Sequence, residues 1–207
     1  ADDIESTLKK TCCLPFYIFG LEVSTKSIQT YFKKSKFAPI RLNDDKLWKI
    51  FSVKNNILII SDKEKINSYV AADIAEYIRQ QLIKRGYSFS YETVMSDSEK
   101  IVFLKKAKKS GYKIYLYYFA TEDPLININR VKIRVAQKGH DVNSATIEKR
   151  YYKSLGNLRD AVSLSDRAYL FDNSQKATVL IAEITSGKEV NIIDTNTVPN
   201  WIINYLK

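Results

Sequence analysis

Leu14-Pro15-Phe16-Tyr17-Ile18-Phe19 is an apolar run that ends at Gly20, and the chain continues as Leu21-Glu22-Val23-Ser24-Thr25-Lys26-Ser27. This order predicts a strand, a loop and then a short helix over residues 28–36. A glycine followed six residues later by Lys-Ser has the spacing of a phosphate-binding P-loop. In such a loop, backbone amides and the lysine surround a polyphosphate and the hydroxyl holds its magnesium ion. The stretch therefore predicts phosphate binding at Gly20, Lys26 and Ser27, with Ser27 as the magnesium ligand.

The loop also departs from that motif. Thr25 stands at the second glycine, where a glycine lets the backbone approach the phosphates closely, and Glu22 adds a carboxylate beside them. This is a degenerate form of the motif. An ordinary strand-to-helix turn with a solvated lysine remains the alternative interpretation.

Length and composition predict one α/β domain over residues 1–207, because 45% hydrophobic content can fill one substantial core. The net charge of +10 favours anionic partners. We expect no nucleic acid partner, since no recognition-helix pattern, aromatic RNA-binding signature or zinc spacing is present. We also expect no membrane span and no leader, because no apolar run is long enough. The cysteines, Cys12 and Cys13, are adjacent, which indicates a reducing, cytoplasmic setting.

Hydrophobic periodicity predicts strands that alternate with helices, an order typical of a mostly parallel sheet. The predicted strands are 37–42, 87–93, 113–119, 168–171 and 177–183, with a hairpin to 189–193; the predicted helices are 65–85, 98–109, 125–137 and 144–155, with a terminal helix around Trp201. Residues 56–60 fit either a strand or a helical segment. Residues 113–119 are expected to be covered on both faces, with their tyrosines in the core. Asp45 and Glu92 follow predicted strands, at the sheet edge where ligands bind.

Several stretches together carry a family resemblance. They are Phe89-Ser90-Tyr91-Glu92-Thr93-Val94-Met95-Ser96, Arg130-Val131-Lys132-Ile133-Arg134-Val135, Gly139-His140-Asp141-Val142, Arg150-Tyr151-Tyr152-Lys153-Ser154-Leu155-Gly156-Asn157-Leu158 and Asp172-Asn173-Ser174. In order, spacing and residue type, the chain resembles the zeta toxin family of P-loop kinases over most of residues 14–183.

The resemblance implies an α/β, P-loop kinase-like three-layer fold with a mostly parallel sheet, a core over 14–183, lid helices over 125–158 and a C-terminal antiparallel extension. It implies a kinase that uses ATP and Mg²⁺ to phosphorylate a hydroxyl of a UDP-N-acetylhexosamine-like sugar nucleotide. It also implies a separate antitoxin protein as a partner, as in toxin–antitoxin pairs.

Site residues follow from the same resemblance. Gly20, Thr25, Lys26, Ser27 and Arg130 would bind ATP and its phosphates, Glu92 and Thr93 would hold the acceptor sugar, and Asp45, Arg134 and Arg150 would be catalytic. Asp45 would accept the hydroxyl proton, and the arginines would neutralise charge on the transferred phosphoryl group.

Alternatives remain open for several of these residues. Asp44 competes with Asp45, and either could be a helix cap. Arg130 and Arg134 are spaced i, i+4, so both could lie on a solvated helix face. The altered loop leaves two functional interpretations, an active kinase or a pseudokinase that only binds nucleotides or sugar nucleotides.

Overall fold

A computed structural model describes residues 1–193 and 198–206, and the chain divides into two compact units, residues 1–89 and 90–207. Each unit has its own cluster of buried apolar side chains. We describe each unit by itself, and the single domain over 1–207 stays a prediction. Among the described residues, no helix combines the length and apolarity that crossing a membrane requires.

The first unit combines four α-helices with a small antiparallel sheet. Its elements are α1 (Asp2–Thr11), β1 (Cys13–Pro15), α2 (Thr25–Lys34), α3 (Ala38–Arg41), β2 (Phe51–Lys54), β3 (Ile57–Ile60) and α4 (Ser68–Arg85). The strand order is β1-β3-β2, and β3 pairs antiparallel with both neighbours. The segment 56–60, which the sequence left open, is therefore a strand.

Helix α4 confirms the most regular sequence pattern of this unit. The side chain of Asn67 accepts hydrogen bonds from the amides of Tyr69 and Val70, which satisfies two groups that a helix start leaves open. Gly86 ends the helix in the left-handed conformation, at φ 70°, and donates to the carbonyls of Leu82 and Ile83. The apolar face in between is buried in the core of the unit.

Two predicted strands of the first unit are wrong or shortened. Only Cys13–Pro15 of the first apolar run is extended, while Phe16–Phe19 forms a 3-10 helix that ends at Gly20. The predicted strand 37–42 is instead α3, because Pro39 lies in its first turn, where a missing N–H is harmless; in a strand it would remove a ladder hydrogen bond.

The second unit places helices against a four-stranded sheet. Its elements are α5 (Glu99–Lys109), β4 (Tyr115–Ala120), α6 (Pro124–Ala136), α7 (Ser144–Gly156), α8 (Leu158–Leu164), β5 (Arg167–Asp172), β6 (Val179–Thr185), β7 (Glu189–Ile192) and α9 (Asn200–Leu206). The strand order is β4-β5-β6-β7. The predicted helices and the terminal hairpin of this unit are confirmed.

The prediction of a mostly parallel sheet is wrong for the described strands. Only β4 and β5 pair in parallel, whereas β5–β6 and β6–β7 are antiparallel, as are both pairs of the first unit. The long connection through α6, α7 and α8 makes the one parallel pair possible, and a tight turn at Ser186 and Gly187 makes the last pair antiparallel. A mixed α/β architecture is what the chain has, and the three-layer arrangement stays a prediction.

Two further expectations about strands are corrected. Residues 87–93 form no strand, because no strand of the described residues pairs with this segment. Strand β4 is not covered on both faces: Tyr115, Tyr117 and Phe119 are 57–59% exposed, while Tyr118 on the opposite face is buried. The exposed rings of β4 stack on those of β5, with centroids 5.0 Å apart for Tyr117–Tyr169 and 4.6 Å apart for Phe119–Phe171.

Candidate functional site

The start of α2 holds three of the predicted phosphate-binding residues. Ser24 caps the helix by accepting a hydrogen bond from the amide of Ser27 at 3.2 Å. The hydroxyl of Thr25 accepts a hydrogen bond from the amide of Val53 at 2.8 Å. This bond connects α2 to β2. Lys26 is exposed and has no hydrogen-bond or ion partner among the described residues. The first turn of α2 therefore offers a free ammonium group beside a helix N-terminus, a setting that favours anions.

Ser27, the predicted magnesium ligand, already has one hydrogen-bond partner. Its hydroxyl lies 2.8 Å from the hydroxyl of Tyr77 on α4, and burial raises the pKa of Tyr77, so that phenol stays protonated. Whichever of the two hydroxyls donates, the serine oxygen has two lone pairs, and at least one of them stays available to a magnesium ion. The chemistry of Ser27 thus fits the cation.

The loop before α2 is closed by protein contacts. The side-chain oxygen of Asn56 accepts from the amide of Val23 at 3.0 Å, and its amino group donates to the carbonyl of Leu21 at 2.6 Å. The amide of Gly20 donates to the carbonyl of Tyr17 at 2.9 Å. Because the amides of Val23 and Gly20 already donate hydrogen bonds within the protein, the loop does not present the nest of free N–H groups that a P-loop uses. The residues fit one phosphate at the start of α2 better than a polyphosphate in the loop.

Asp44 and Asp45 have different surroundings, which bears on the choice between them. Asp44 pairs with Lys65 and accepts from the amide of Lys46, and the hydrogen bond from Lys65 lowers the pKa of its carboxyl. Asp45 is exposed and has no hydrogen-bond or ion partner among the residues that the structure describes. Asp44 is therefore committed to the turn, and Asp45 is the carboxylate available to a ligand.

One buried carboxylate of the first unit was not anticipated. Asp73 of α4 accepts from the hydroxyl of Ser35 at 2.7 Å, from the amide of Ala38 at 3.0 Å and from the hydroxyl of Tyr31 at 3.3 Å. Burial raises the pKa of this carboxyl. The signal in the sequence is its register: Asp73 lies between Val70 and Tyr77 on the apolar face of α4. Its saturated contacts indicate a structural role.

In the second unit, the predicted acceptor residues lie on an irregular segment. Glu92 is exposed and has no partner among the described residues, while the hydroxyl of Thr93 accepts from the amide of Met95 at 3.1 Å. Met95 has φ 56°, and its carbonyl accepts a hydrogen bond from the side-chain amide of Asn157 at 2.8 Å. Thr93 and Asn157 thus fix the turn, and Glu92 projects into solvent beside it.

Polar groups gather at the carboxyl ends of β4 and β5, whereas Asp45 and Glu92, which the sequence predicts at a sheet edge, follow no strand. The hydroxyl of Ser174 accepts from the amide of Glu122 at 2.8 Å and donates to the carboxylate of Asp172 at 2.8 Å. The hydroxyl of Tyr151 donates to the carbonyl of Thr121 at 2.8 Å, and burial raises the pKa of that phenol. The parallel pairing of β4 and β5 brings these two loops together. Tyr151 belongs to a motif that the sequence singled out, but its role in this network was missed.

The three predicted arginines differ in what they contact. Arg130 donates to the carbonyl of Asn173 at 2.7 Å, so it braces the loop after β5. Arg134 donates to the carbonyl of His140 at 2.9 Å and closes the turn after α6. Arg150 on α7 is exposed and has no partner among the described residues. Arg150 is thus the guanidinium group that a ligand could engage without breaking an existing contact.

The predicted site residues fall into the two units in equal number. The first unit carries Gly20, Thr25, Lys26, Ser27 and Asp45, and the second carries Glu92, Thr93, Arg130, Arg134 and Arg150. Within the first unit, Thr25, Lys26 and Ser27 share one helical turn. Within the second, Arg130 and Arg134 are on α6 and Arg150 is on α7, helices that contact each other.

Comparison with known proteins identifies the family. The zeta toxin family model matches residues 26–197, most of the chain. The chain belongs to the zeta toxin family. The match begins at Lys26, so the zeta toxin similarity includes Lys26 and Ser27 but not Gly20 or Thr25.

A curated relative gives a shorter match to this zeta toxin family member. It is an uncharacterized protein of Haemophilus influenzae, 32% identical over 69 residues, which are 33% of this chain and 49% of the relative. The chain therefore spans about half the length of the curated relative it matches. No solved structure matches the chain.

Proposed function

We propose that this protein is a kinase that uses ATP and Mg²⁺ to phosphorylate a hydroxyl of a sugar nucleotide of the UDP-N-acetylhexosamine class. Membership in the zeta toxin family supports nucleotide-dependent, kinase-like chemistry. The observation that carries the proposal is the availability of Lys26, Asp45, Glu92 and Arg150. They have no hydrogen-bond or ion partner among the described residues, and they are the charges that phosphoryl transfer to an alcohol requires.

Each residue has a role in this proposal. Lys26 neutralises charge on the outer phosphates, and Ser27 offers hydroxyl lone pairs to the magnesium ion. Asp45 takes the proton from the acceptor hydroxyl as that oxygen bonds to phosphorus, and Arg150 stabilises the equatorial phosphoryl oxygens. ATP would supply the transferred phosphoryl group, and ADP would leave as the bond between the γ-phosphorus and the bridging oxygen breaks. Glu92 accepts hydrogen bonds from hydroxyl groups of the acceptor.

Three residues take supporting roles. Arg130 and Arg134 position the lid by bracing the loop after β5 and the turn after α6, and Thr93 holds the turn that carries Glu92. A protein antitoxin that blocks nucleotide binding and a cytoplasmic location complete the proposal.

The test is ADP release from ATP in the presence of UDP-N-acetylglucosamine and Mg²⁺. Arg150→Ala should lower kcat by roughly a thousandfold, because an arginine that contacts the transition state is worth about 10³ to 10⁵ in rate. Arg159→Ala, which removes an exposed arginine of α8, should leave the rate unchanged. Equal rates for both variants, or no acceptor-dependent ADP from the unmodified protein, would refute the proposal.

A pseudokinase is the second candidate, and the closed loop favours it. Asn56 occupies the amide of Val23, and the carbonyl of Phe16 occupies the amide of Leu21; a working P-loop would leave such N–H groups for phosphates. A thermal shift with UDP-N-acetylglucosamine in the absence of ATP distinguishes the two. Stabilisation that Glu92→Ala abolishes, without any ADP formation, would establish a binding module.

A further inference from the structure

The positive charge of the second unit is concentrated on α5 and the turn after it. Residues 90–207 contain 18 Lys and Arg against 13 Asp and Glu, while residues 99–113 alone contain six Lys against one Glu. The two stretches carry the same surplus of five charges, so the rest of the unit is balanced. A lysine-rich composition would spread its surplus evenly. The concentration is therefore a property of this surface.

These lysines surround an apolar groove. Val102, Lys105, Lys106, Lys108 and Lys109 of α5 and Leu164 at the end of α8 line an open cavity of about 730 Å³. Val102 is 64% exposed and lines the cavity together with these lysines. Lys108 donates to the carbonyl of Leu164 at 2.8 Å and fixes the end of α8 against α5.

The other lysines that line the groove are not held by an ion pair within the described residues. Lys105, Lys106 and Lys109 are exposed and form no ion pair within the described part of the chain. We refer to these three exposed lysines as the lysine rim, and to the apolar lining residues Val102 and Leu164 as the apolar floor. The groove is therefore complementary to a ligand that carries both negative charge and an apolar group.

We propose that this groove docks an acidic, amphipathic segment of another protein, with an apolar side chain on Val102 and Leu164 and carboxylates on the lysine rim. Charge complementarity favours an acidic partner and would speed its association. Single-stranded nucleic acid is the poorer fit, because its bases are held by stacking on aromatic rings, and none of the six lining residues is aromatic.

The experiment is fluorescence anisotropy with the full chain and a labelled Glu-rich peptide that carries Leu at every fourth position. The joint variant Lys105→Ala, Lys106→Ala, Lys109→Ala should weaken binding by about tenfold, since each exposed ion pair is worth a factor of roughly 1.4 to 5. The matched control Lys132→Ala, Lys153→Ala, Lys188→Ala removes the same charge from other exposed sites and should have little effect.

A second variant tests the apolar floor. The peptide with Leu replaced by Ser should bind more weakly than the Leu peptide, and Val102→Ser should erase that difference while keeping the protein folded, because Val102 is exposed. The proposal is overturned if the two peptides bind the unmodified protein equally, if both triple variants weaken binding alike, or if an oligo-dT of equal charge displaces the Leu peptide.

Discussion

At the scale of single residues, Asp73 links three elements of the first unit. Its carboxylate, on α4, accepts hydrogen bonds from the hydroxyl of Ser35 at the end of α2 and from the amide of Ala38 at the start of α3. Because these donors face a largely buried oxygen, removing the acceptor leaves them without a partner in a place that water reaches poorly. The stability of the first unit should therefore depend on this side chain.

Asp73→Ala should lower the free energy of unfolding by about 2 to 4 kcal/mol, since each orphaned buried donor costs roughly 1 to 3 kcal/mol. Urea denaturation followed by circular dichroism measures it. Asp45→Ala, at an exposed carboxylate without a partner among the described residues, is the control and should change stability by less than about 0.5 kcal/mol. Equal losses in the two variants would contradict the structural role of Asp73.

The pH dependence of this effect has a definite sign. Burial raises the pKa of Asp73, so the native state keeps a proton there that the unfolded chain has released. Its stabilising contribution is full below the ordinary aspartate pKa and is lost as pH rises through the raised value. The stability difference between the unmodified protein and Asp73→Asn should therefore shrink as pH rises above the ordinary aspartate pKa in urea titrations. A difference that grows with pH would show a lowered pKa instead.

At the scale of elements, helix ends are where sequence reasoning works best. The sequence predicts a helix that ends at residue 85, and Gly86 ends α4 there at φ 70°, where no neighbouring atom lies within 4 Å of an added Cβ. Substitution there tests backbone conformation alone. Gly156, the last residue of α7, has equally open surroundings and no positive φ.

Gly86→Ala should destabilise the protein by about 1 to 2 kcal/mol, because only the left-handed conformation is penalised. Gly156→Ala should be neutral or stabilising by up to about 1 kcal/mol, because alanine favours the helix. Thermal denaturation of both variants gives the comparison. A loss of similar size at both positions would mean that packing rather than φ governs Gly86.

The elements that the sequence does not predict correctly are short, and their structure depends on which other segments of the chain pack or pair with them. Leu14–Phe19 and 37–42 are apolar runs of strand length, and such runs do not distinguish strand from helix on their own. Pro39 was the available signal for α3, since proline suits a first helical turn. The segment 87–93 alternates correctly, but alternation makes a strand only where a neighbouring strand supplies hydrogen bonds.

At the scale of the whole molecule, the family could be predicted because its motifs recur in order over a long stretch, which chance rarely produces. The sequence also named Lys26, Asp45, Glu92 and Arg150, which the structure leaves without partners among its described residues. It could not foresee that Asn56, distant in the chain, closes the loop before α2, because that contact depends on the pairing of β2 and β3. Long-range contacts of this kind are invisible to local patterns.

The central claim is that the start of α2 binds the phosphates of ATP. Calorimetric titration of ATP with Mg²⁺ into the full chain tests it directly, with Lys34→Ala as the control for an exposed lysine on the same helix. We predict saturable binding to the unmodified protein and to Lys34→Ala, and none to Lys26→Ala. Absence of binding to the unmodified protein, or equal affinity in both lysine variants, would contradict the claim.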